Sequence, residues 1–163
     1  MAVRYTDPEI EVFLLERKLL PVDWRNRLRM KPKRGHDEQE LDITGEAGSK
    51  FRLILRQSKV NALDFSVILG LLVPSSNRVF RLRRYNGRHE HTNRIENETF
   101  YGFHIHAATE RYQELGAAED TYAESSNRYG SFEGALRCLF ADSGFSIPPE
   151  QQFGLFEGED DVH

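Results

Sequence analysis

The feature of this sequence that most constrains its fold is an alternation of apolar with other residues in four stretches. The stretches run over 51–57, 63–73, 79–84 and 100–106, and every second residue of each belongs to an apolar row. Because the side chains of a strand alternate between two faces, each stretch predicts a β-strand with one apolar face. The connections between the first three stretches are short, which implies antiparallel pairing, since a parallel return needs a longer crossover.

Two helices flank the predicted sheet. Asp7-Pro8-Glu9 has the cap, the proline and the acidic residue of a helix start, and Pro21 ends that helix, which is predicted over 8–19. Ser131 caps a second helix, predicted over 131–142. The sequence therefore predicts an α+β fold, with a curved antiparallel β-sheet of four to six strands and an N-terminal and a C-terminal helix packed on one face.

The length of 163 residues suits one domain. We expect a single α+β domain over 1–147 with its sheet core at 49–112. The segment 21–48 contains a basic run from Arg25 to Arg34 and is predicted to be mostly irregular. Residues 148–163 are predicted to form an acidic tail.

Composition excludes several kinds of site. Cys138 is the only cysteine, which excludes an internal disulfide and a cysteine-based zinc cage. The N-terminal residues lack an apolar signal region, and the longest apolar run, around Val67 to Val73, is too short to span a bilayer. We therefore expect a cytoplasmic protein without a membrane partner. The net charge of −4 argues neither for nor against nucleic acid.

Four of the six histidines lie within one stretch that ends in the fourth predicted strand. His104 and His106 are two residues apart on that strand, so both imidazoles leave the same face. His89 and His91 lie one loop earlier. Four imidazoles, or three with a glutamate, suit a divalent transition metal such as zinc, manganese, iron or nickel. A metal site formed by these four histidines is one interpretation of the stretch.

The polar rows of the predicted strands share the second face of the sheet. Like charges side by side destabilise a sheet unless an anion meets them, and the anion is either an acidic side chain of this chain or an external phosphate or carboxylate. Both alternatives remain open. The predicted basic row comprises Arg52, Arg56, Arg81, Arg83, His104 and His106.

A second interpretation is phosphoryl chemistry without a cofactor. His104 and His106 would serve as acid and base with Tyr112 beside them, because histidine titrates near neutral pH. Arginine stabilises the charge of a phosphate in the transition state. This combination is typical of small ribonucleases, so we predict an RNA-directed nuclease or toxin-like component. The predicted anion-binding residues are Arg52, Arg56, Arg81, Arg83 and Arg111.

A third interpretation involves no reaction. Aromatic residues mixed with arginine, such as Tyr85 and Tyr101, suit stacking on single-stranded nucleic acid. The same surface also suits a cognate protein partner, which would make the chain a non-catalytic interaction module. Whether the protein is an enzyme therefore remains open from the sequence.

The middle third of the chain carries a resemblance. The runs Phe80-Arg81-Leu82-Arg83-Arg84-Tyr85-Asn86-Gly87, His89-x-His91-x-Asn93 and 103–112 resemble a group of short uncharacterised bacterial proteins. Members of that group look like cargo of mobile or defence-associated loci. The same order of strand, loop and histidine strand is loosely similar to a toxin family of toxin–antitoxin pairs. The resemblance implies a bacterial origin and a site at the paired histidines.

Overall fold

The computed structural model of the protein describes residues 3–148, which form four helices and eleven strands. The helices are α1 (Asp7–Leu15), α2 (Trp24–Arg27), α3 (Glu110–Glu114) and α4 (Phe132–Asp142). The strands are β1 (Lys18–Leu19), β2 (Lys31–Pro32), β3 (His36–Thr44), β4 (Lys50–Ser58), β5 (Phe65–Leu72), β6 (Val79–Asn86), β7 (His91–Asn93), β8 (Glu98–Phe100), β9 (His104–Ala107), β10 (Ala123–Ser125) and β11 (Phe145–Ser146).

One antiparallel sheet of seven strands dominates the fold, in the order β10-β9-β6-β5-β4-β3-β2. Strands β7 and β8 form a separate hairpin, and β1 pairs with β11 in parallel. The predicted α+β class, the antiparallel sheet and the two terminal helices are confirmed. The sheet is larger than the four to six strands predicted, because β2 comes from the basic part of segment 21–48, whose apolar pattern is weak.

The apolar rows of the strands meet α1 and α4 in one core. Phe51, Leu53 and Leu55 of β4 are buried in it, and Leu139 of α4 and Leu14 of α1 belong to the same buried cluster. Burying a side chain of this size stabilises the fold by roughly 1.5–3 kcal/mol. The helices therefore cover one face of the sheet, and the other face is left for polar residues.

Helix α1 is shorter than the predicted 8–19. It begins as expected, with Thr6 and Glu9 forming a reciprocal capping box. It ends at Leu15 because the chain then becomes extended and Lys18 turns back to the end of the helix. The Lys18 ammonium donates hydrogen bonds to the carbonyl oxygens of Phe13 and Leu14, which have no partner within the helix. Helix α4, in contrast, lies within one residue of the predicted 131–142.

The segment 21–48 is less irregular than predicted, because it contains the nine-residue strand β3. This strand pairs with β4 along its whole length. Two of its acidic residues lie opposite basic residues of β4, with Asp42 facing Arg52 and Glu38 facing Arg56. Cross-strand pairs of opposite charge favour a strand whose first half is too polar to predict from hydrophobic alternation.

A β-bulge in β6 inverts the predicted phase of its second half. Neighbouring residues Leu69 and Gly70 of β5 pair with Arg83 and Arg81, so Leu82 is the extra residue of β6. Arg81 lies on the polar face as predicted. Arg83 instead shares the helical face with Tyr85, and the prediction that it lies beside His104 and His106 is wrong. The alternation of side chains in a sequence assumes a regular strand, so it does not reveal an extra residue.

Two further predictions concern the chain as a whole. Over residues 3–148, no helix is both long and apolar enough to cross a membrane. The acidic tail predicted over 148–163 lies outside the described residues, apart from its first residue.

Candidate functional site

Strand β9 carries the paired histidines into the interior of the protein. It lies between β6 and β10, where His106 pairs with Arg84 and Ala123, and His104 pairs with Asn86. The strand periodicity places both imidazoles on the face opposite the helices. Both are nevertheless buried, with 0% of His104 and 3% of His106 exposed. Buried imidazoles need partners for their ring nitrogens, so the surroundings of this pair decide its role.

The β7–β8 hairpin places a third histidine over the pair. His91 is the first residue of β7, in a segment predicted as a loop. Its ring centroid lies 4.6 Å from that of His106 and 5.4 Å from that of His104. One ring nitrogen from each of His91, His104 and His106 lies within 4.8 Å of the other two. We call these three residues the histidine cluster.

The hydrogen bonds of the cluster fix which ring nitrogens carry protons. His104 Nδ1 donates to the carbonyl oxygen of Gly102, and His106 Nδ1 donates to that of Asp120, both at 2.8 Å. A neutral imidazole that donates from Nδ1 keeps a lone pair on Nε2. In the described part of the chain, both Nε2 atoms are buried and have no hydrogen-bond partner.

The third histidine uses the opposite nitrogen. His91 Nε2 donates to Asn93 Oδ1 at 2.9 Å, which leaves the lone pair on Nδ1. The amide of Asn93 is itself fixed, because its Oδ1 accepts from the backbone N–H of Ala123 and its Nδ2 donates to the Ala123 carbonyl. All three imidazoles are thus held in one tautomer by a donor bond to an oxygen. Metal-binding histidines typically have this second partner.

Electrostatics keep the paired histidines neutral. Burial lowers the pKa of His104 to about 4 and the pKa of His106 to about 2. Burial is the largest cause of both pKa shifts, and the positive charge of Arg84 contributes to each. Neutral imidazole is the form that binds a metal ion, whereas a histidine with so low a pKa is a poor base for proton transfer near neutral pH.

His89 lies next to the cluster without belonging to it. Its ring centroid is 4.7 Å from that of His104, and its Nε2 lies 3.3 Å from Asn86 Nδ2. Since Asn86 Oδ1 accepts from the Ser66 hydroxyl, the Asn86 amide group is the donor to His89. Only three of the four histidines predicted as metal ligands therefore converge. Phe100 of β8 packs against His91 and His104 and covers part of the cluster with an apolar ring.

An ion network lies behind the cluster. The carboxylate of Asp120 is 1% exposed and lies 3.3 Å from Arg81 Nη2 and 3.3 Å from Arg84 Nε. Glu119 adds a second negative charge beside Arg81, at 3.5 Å. Burial lowers the pKa of Arg84, and its charge is balanced chiefly by Asp120. The network anchors the loop whose backbone accepts the His106 hydrogen bond.

Most of the predicted anion-binding arginines meet acidic side chains of the same chain. Arg52 pairs with Asp42 and Arg56 with Glu38 across β3 and β4. Arg81 forms ion pairs with Glu119 and Asp120, and Arg111 forms one with Glu96. The sequence left open whether these arginines meet an acidic side chain of this chain or an external anion. For these four arginines, the partner is an acidic side chain of this chain.

Tyr112, predicted to assist acid–base chemistry, lies in α3 and is fully buried. Its hydroxyl donates to the carboxylate of Glu96 and accepts from the backbone N–H of Ile95. Both residues belong to the turn between β7 and β8. The contacts of Tyr112 therefore support the hairpin that carries His91.

Three residues of the site were missed from the sequence. Asn93, Asp120 and Arg84 orient or surround the histidines, and none stood out by composition. Asn93 offered one signal, since it is two residues from His91 and therefore on the same face of a strand. Asp120 is distant in sequence from both histidine pairs, so only the fold brings it to the cluster.

Comparison with protein-family models finds no match to this chain. Comparisons with curated proteins and with solved structures find none either. The resemblance to short bacterial proteins and to a toxin family therefore stays a prediction.

Proposed function

We propose that this protein binds a divalent transition metal ion through His91, His104 and His106. The observation that carries the proposal is the convergence of the three histidines within 4.8 Å, two of them with buried Nε2 atoms that have no partner among residues 3–148. A buried nitrogen lone pair without a partner costs about 1–3 kcal/mol, and a metal ion would satisfy both at once.

The donor set favours zinc or a similar ion. Three imidazoles suit zinc, copper, iron and nickel, and the absence of nearby thiolates argues against ions that prefer sulfur. Three protein ligands leave a fourth position for water or substrate, which is the arrangement of catalytic zinc sites. When bound, the ion would supply a Lewis acid and a water of lowered pKa. The chain itself supplies the three ligands, their fixed tautomers and the apolar cover of Phe100.

The RNA-directed function predicted from the sequence is the less supported alternative. Four of its five anion-binding arginines already have internal carboxylate partners. The two histidines predicted to do acid–base work, His104 and His106, have lowered pKa values that disfavour the charged form needed in a general acid. Those observations favour a metal-binding role over metal-independent phosphoryl transfer.

The test is metal content and affinity. The full-length chain is purified without a polyhistidine tag, its metal content is measured by elemental analysis, and metal-free protein is titrated with Zn²⁺ and Co²⁺. We expect one ion per chain and, for Co²⁺, the strong visible absorption that is typical of four-coordinate cobalt. His104→Ala is expected to abolish both.

The matched control is His36→Ala, since His36 lies on β3 and outside the cluster. Unchanged stoichiometry in this variant would show that binding is specific. Absence of a bound ion in the wild-type chain at micromolar Zn²⁺, or equal binding by His104→Ala, would refute the proposal.

A further inference from the structure

The helical face of the sheet carries a second group of polar residues, on the opposite side of β9 from the histidine cluster. Because β9 alternates, Ile105 and Ala107 lie on the opposite face from His104 and His106. Together with β10 and the segment after it, they line a pocket of about 250 Å³. Its polar lining includes Arg83, Arg128, Tyr122, Glu124 and Ser126.

Arg83 reaches this pocket because of the bulge at Leu82. It pairs with Ala107 and so lies on the helical face. Its Nε is buried and has no hydrogen-bond partner, and within residues 3–148 its guanidinium forms no ion pair. The charge of Arg83 is felt by the Asp142 carboxylate, so the negative charge that balances it belongs to a group with other partners.

The acidic group whose electrostatics include Arg83 already has other partners. Asp142 of α4 accepts two hydrogen bonds of 2.8 Å from Arg128 and a third from the Tyr85 hydroxyl. The single negative charge of Asp142 therefore interacts with two positive charges, those of Arg128 and Arg83. Glu124 is exposed, and it accepts a hydrogen bond from Tyr122.

The remaining groups at the pocket suit a small anion. The Ser126 hydroxyl accepts from the backbone N–H of Arg128 and can still donate its own proton. The guanidinium of Arg83 presents donors in a fork that matches two oxygens of one anion. Ile105 and Ala107 supply an apolar floor that excludes water from one side.

We propose that this pocket binds a small oxyanion of the phosphate type, with Arg83 as its principal contact. Arg83 was predicted from the sequence to bind an anion, but on the histidine face. In the structure, Arg83 would bind an anion in the pocket on the opposite face of the sheet. The proposal is independent of the metal site.

The test is calorimetric titration of metal-free full-length protein with inorganic phosphate at constant ionic strength. Metal removal excludes phosphate bound to an ion, and His104→Ala protein is titrated in parallel. We expect saturable binding at one site in both, weakened at least tenfold by Arg83→Gln. Arg83→Lys is expected to weaken binding less, because it keeps the charge and loses the fork.

Two further variants sharpen the result. Glu124→Gln removes a negative charge from the rim and is expected to tighten binding. Arg34→Gln, at an exposed position in a loop, is expected to leave binding unchanged. Circular dichroism and thermal melts establish that each variant is folded. No binding by wild-type protein at millimolar phosphate, or equal affinity in folded Arg83→Gln, would overturn the proposal, and loss of binding in His104→Ala would assign the anion to the histidine cluster.

Discussion

His91 is joined to Asn93 by a hydrogen bond of 2.9 Å between Nε2 and Oδ1. Asn93 is 1% exposed and is bound on both sides to the backbone of Ala123. The side-chain amide of Asn93 therefore attaches the hairpin that carries His91 to β10, the edge strand of the main sheet. The position of the third metal ligand depends on this contact.

Asn93→Ala is expected to weaken Zn²⁺ binding by about 10- to 100-fold, because partners of this kind orient a ligand and fix its tautomer. The measurement is competition with a chelating indicator on folded, metal-free protein. Asn77→Ala, in an exposed turn, is the control and is expected to bind normally. Unchanged affinity in Asn93→Ala would mean that His91 needs no such support, or is not a ligand.

Metal removal is expected to lower the thermal stability of the protein. An ion that binds only the folded state stabilises it by about 2.7 kcal/mol at a free concentration 100 times its dissociation constant. The melting temperature of the wild-type chain would therefore rise with added Zn²⁺ and fall with a chelator. His106→Ala would show neither response, and a zinc-dependent shift of equal size in that variant would contradict the assignment.

Lys18 is expected to be essential to stability although it is far from the site. The residue is 0% exposed, and its ammonium nitrogen lies 2.6–3.2 Å from three carbonyl oxygens at the end of α1 and from that of Ser143 after α4, which share its three protons. Lys18→Met keeps the bulk and leaves these buried acceptors unpaired, so the free energy of unfolding should fall by roughly 3 kcal/mol. Urea denaturation measures the change, with exposed Lys33→Met as the control. A loss as small as that of the control would contradict the role of Lys18.

Asp142 predicts a dependence of stability on pH. Burial alone would raise its pKa, but hydrogen bonds from Arg128 and Tyr85 outweigh burial, and the pKa is lowered. A carboxyl whose pKa is lower in the folded state stabilises the fold above its unfolded pKa, and the contribution is lost as pH falls through the folded value. Wild-type protein should exceed Asp142→Asn in stability by about 1–3 kcal/mol at pH 7.

That difference should shrink as the pH falls below about 4. Denaturation of both proteins at several pH values measures it, with exposed Glu11→Gln as the control. A difference that stays constant down to the most acidic condition would contradict the ion-pair explanation.

Hydrophobic alternation was sufficient to predict the class of fold and the core strands. Phe51, Leu53 and Leu55 lie in the core where the pattern placed them, and both terminal helices cover that side. The first half of strand β3 was missed because it carries charged residues, whose partners on β4 are known only once the two strands are paired. Alternation reports burial, and a strand stabilised by cross-strand ion pairs gives little of that signal.

The histidine cluster was only partly predictable. His104 and His106 were placed on one face because two residues of the same strand share it. Whether His91 folds over them depends on the β7–β8 hairpin and on Asn93, and no local pattern specifies that packing. His89 has the same composition signal as His91, yet only His91 joins the cluster.

The extra residue in β6 has a consequence for how this protein can change over evolution. Leu82 sets which side each of the next four residues faces, so that Tyr85 enters the core and Arg84 meets Asp120. Loss of one residue there would exchange the two sides of the strand end, exposing an aromatic ring and burying an arginine. Substitutions in this strand alter one contact at a time, whereas an insertion or deletion alters all of them together. Among homologous chains, the spacing between Phe80 and His104 should therefore tolerate gaps only in the loops, and the length of β6 should be kept even where its residues differ.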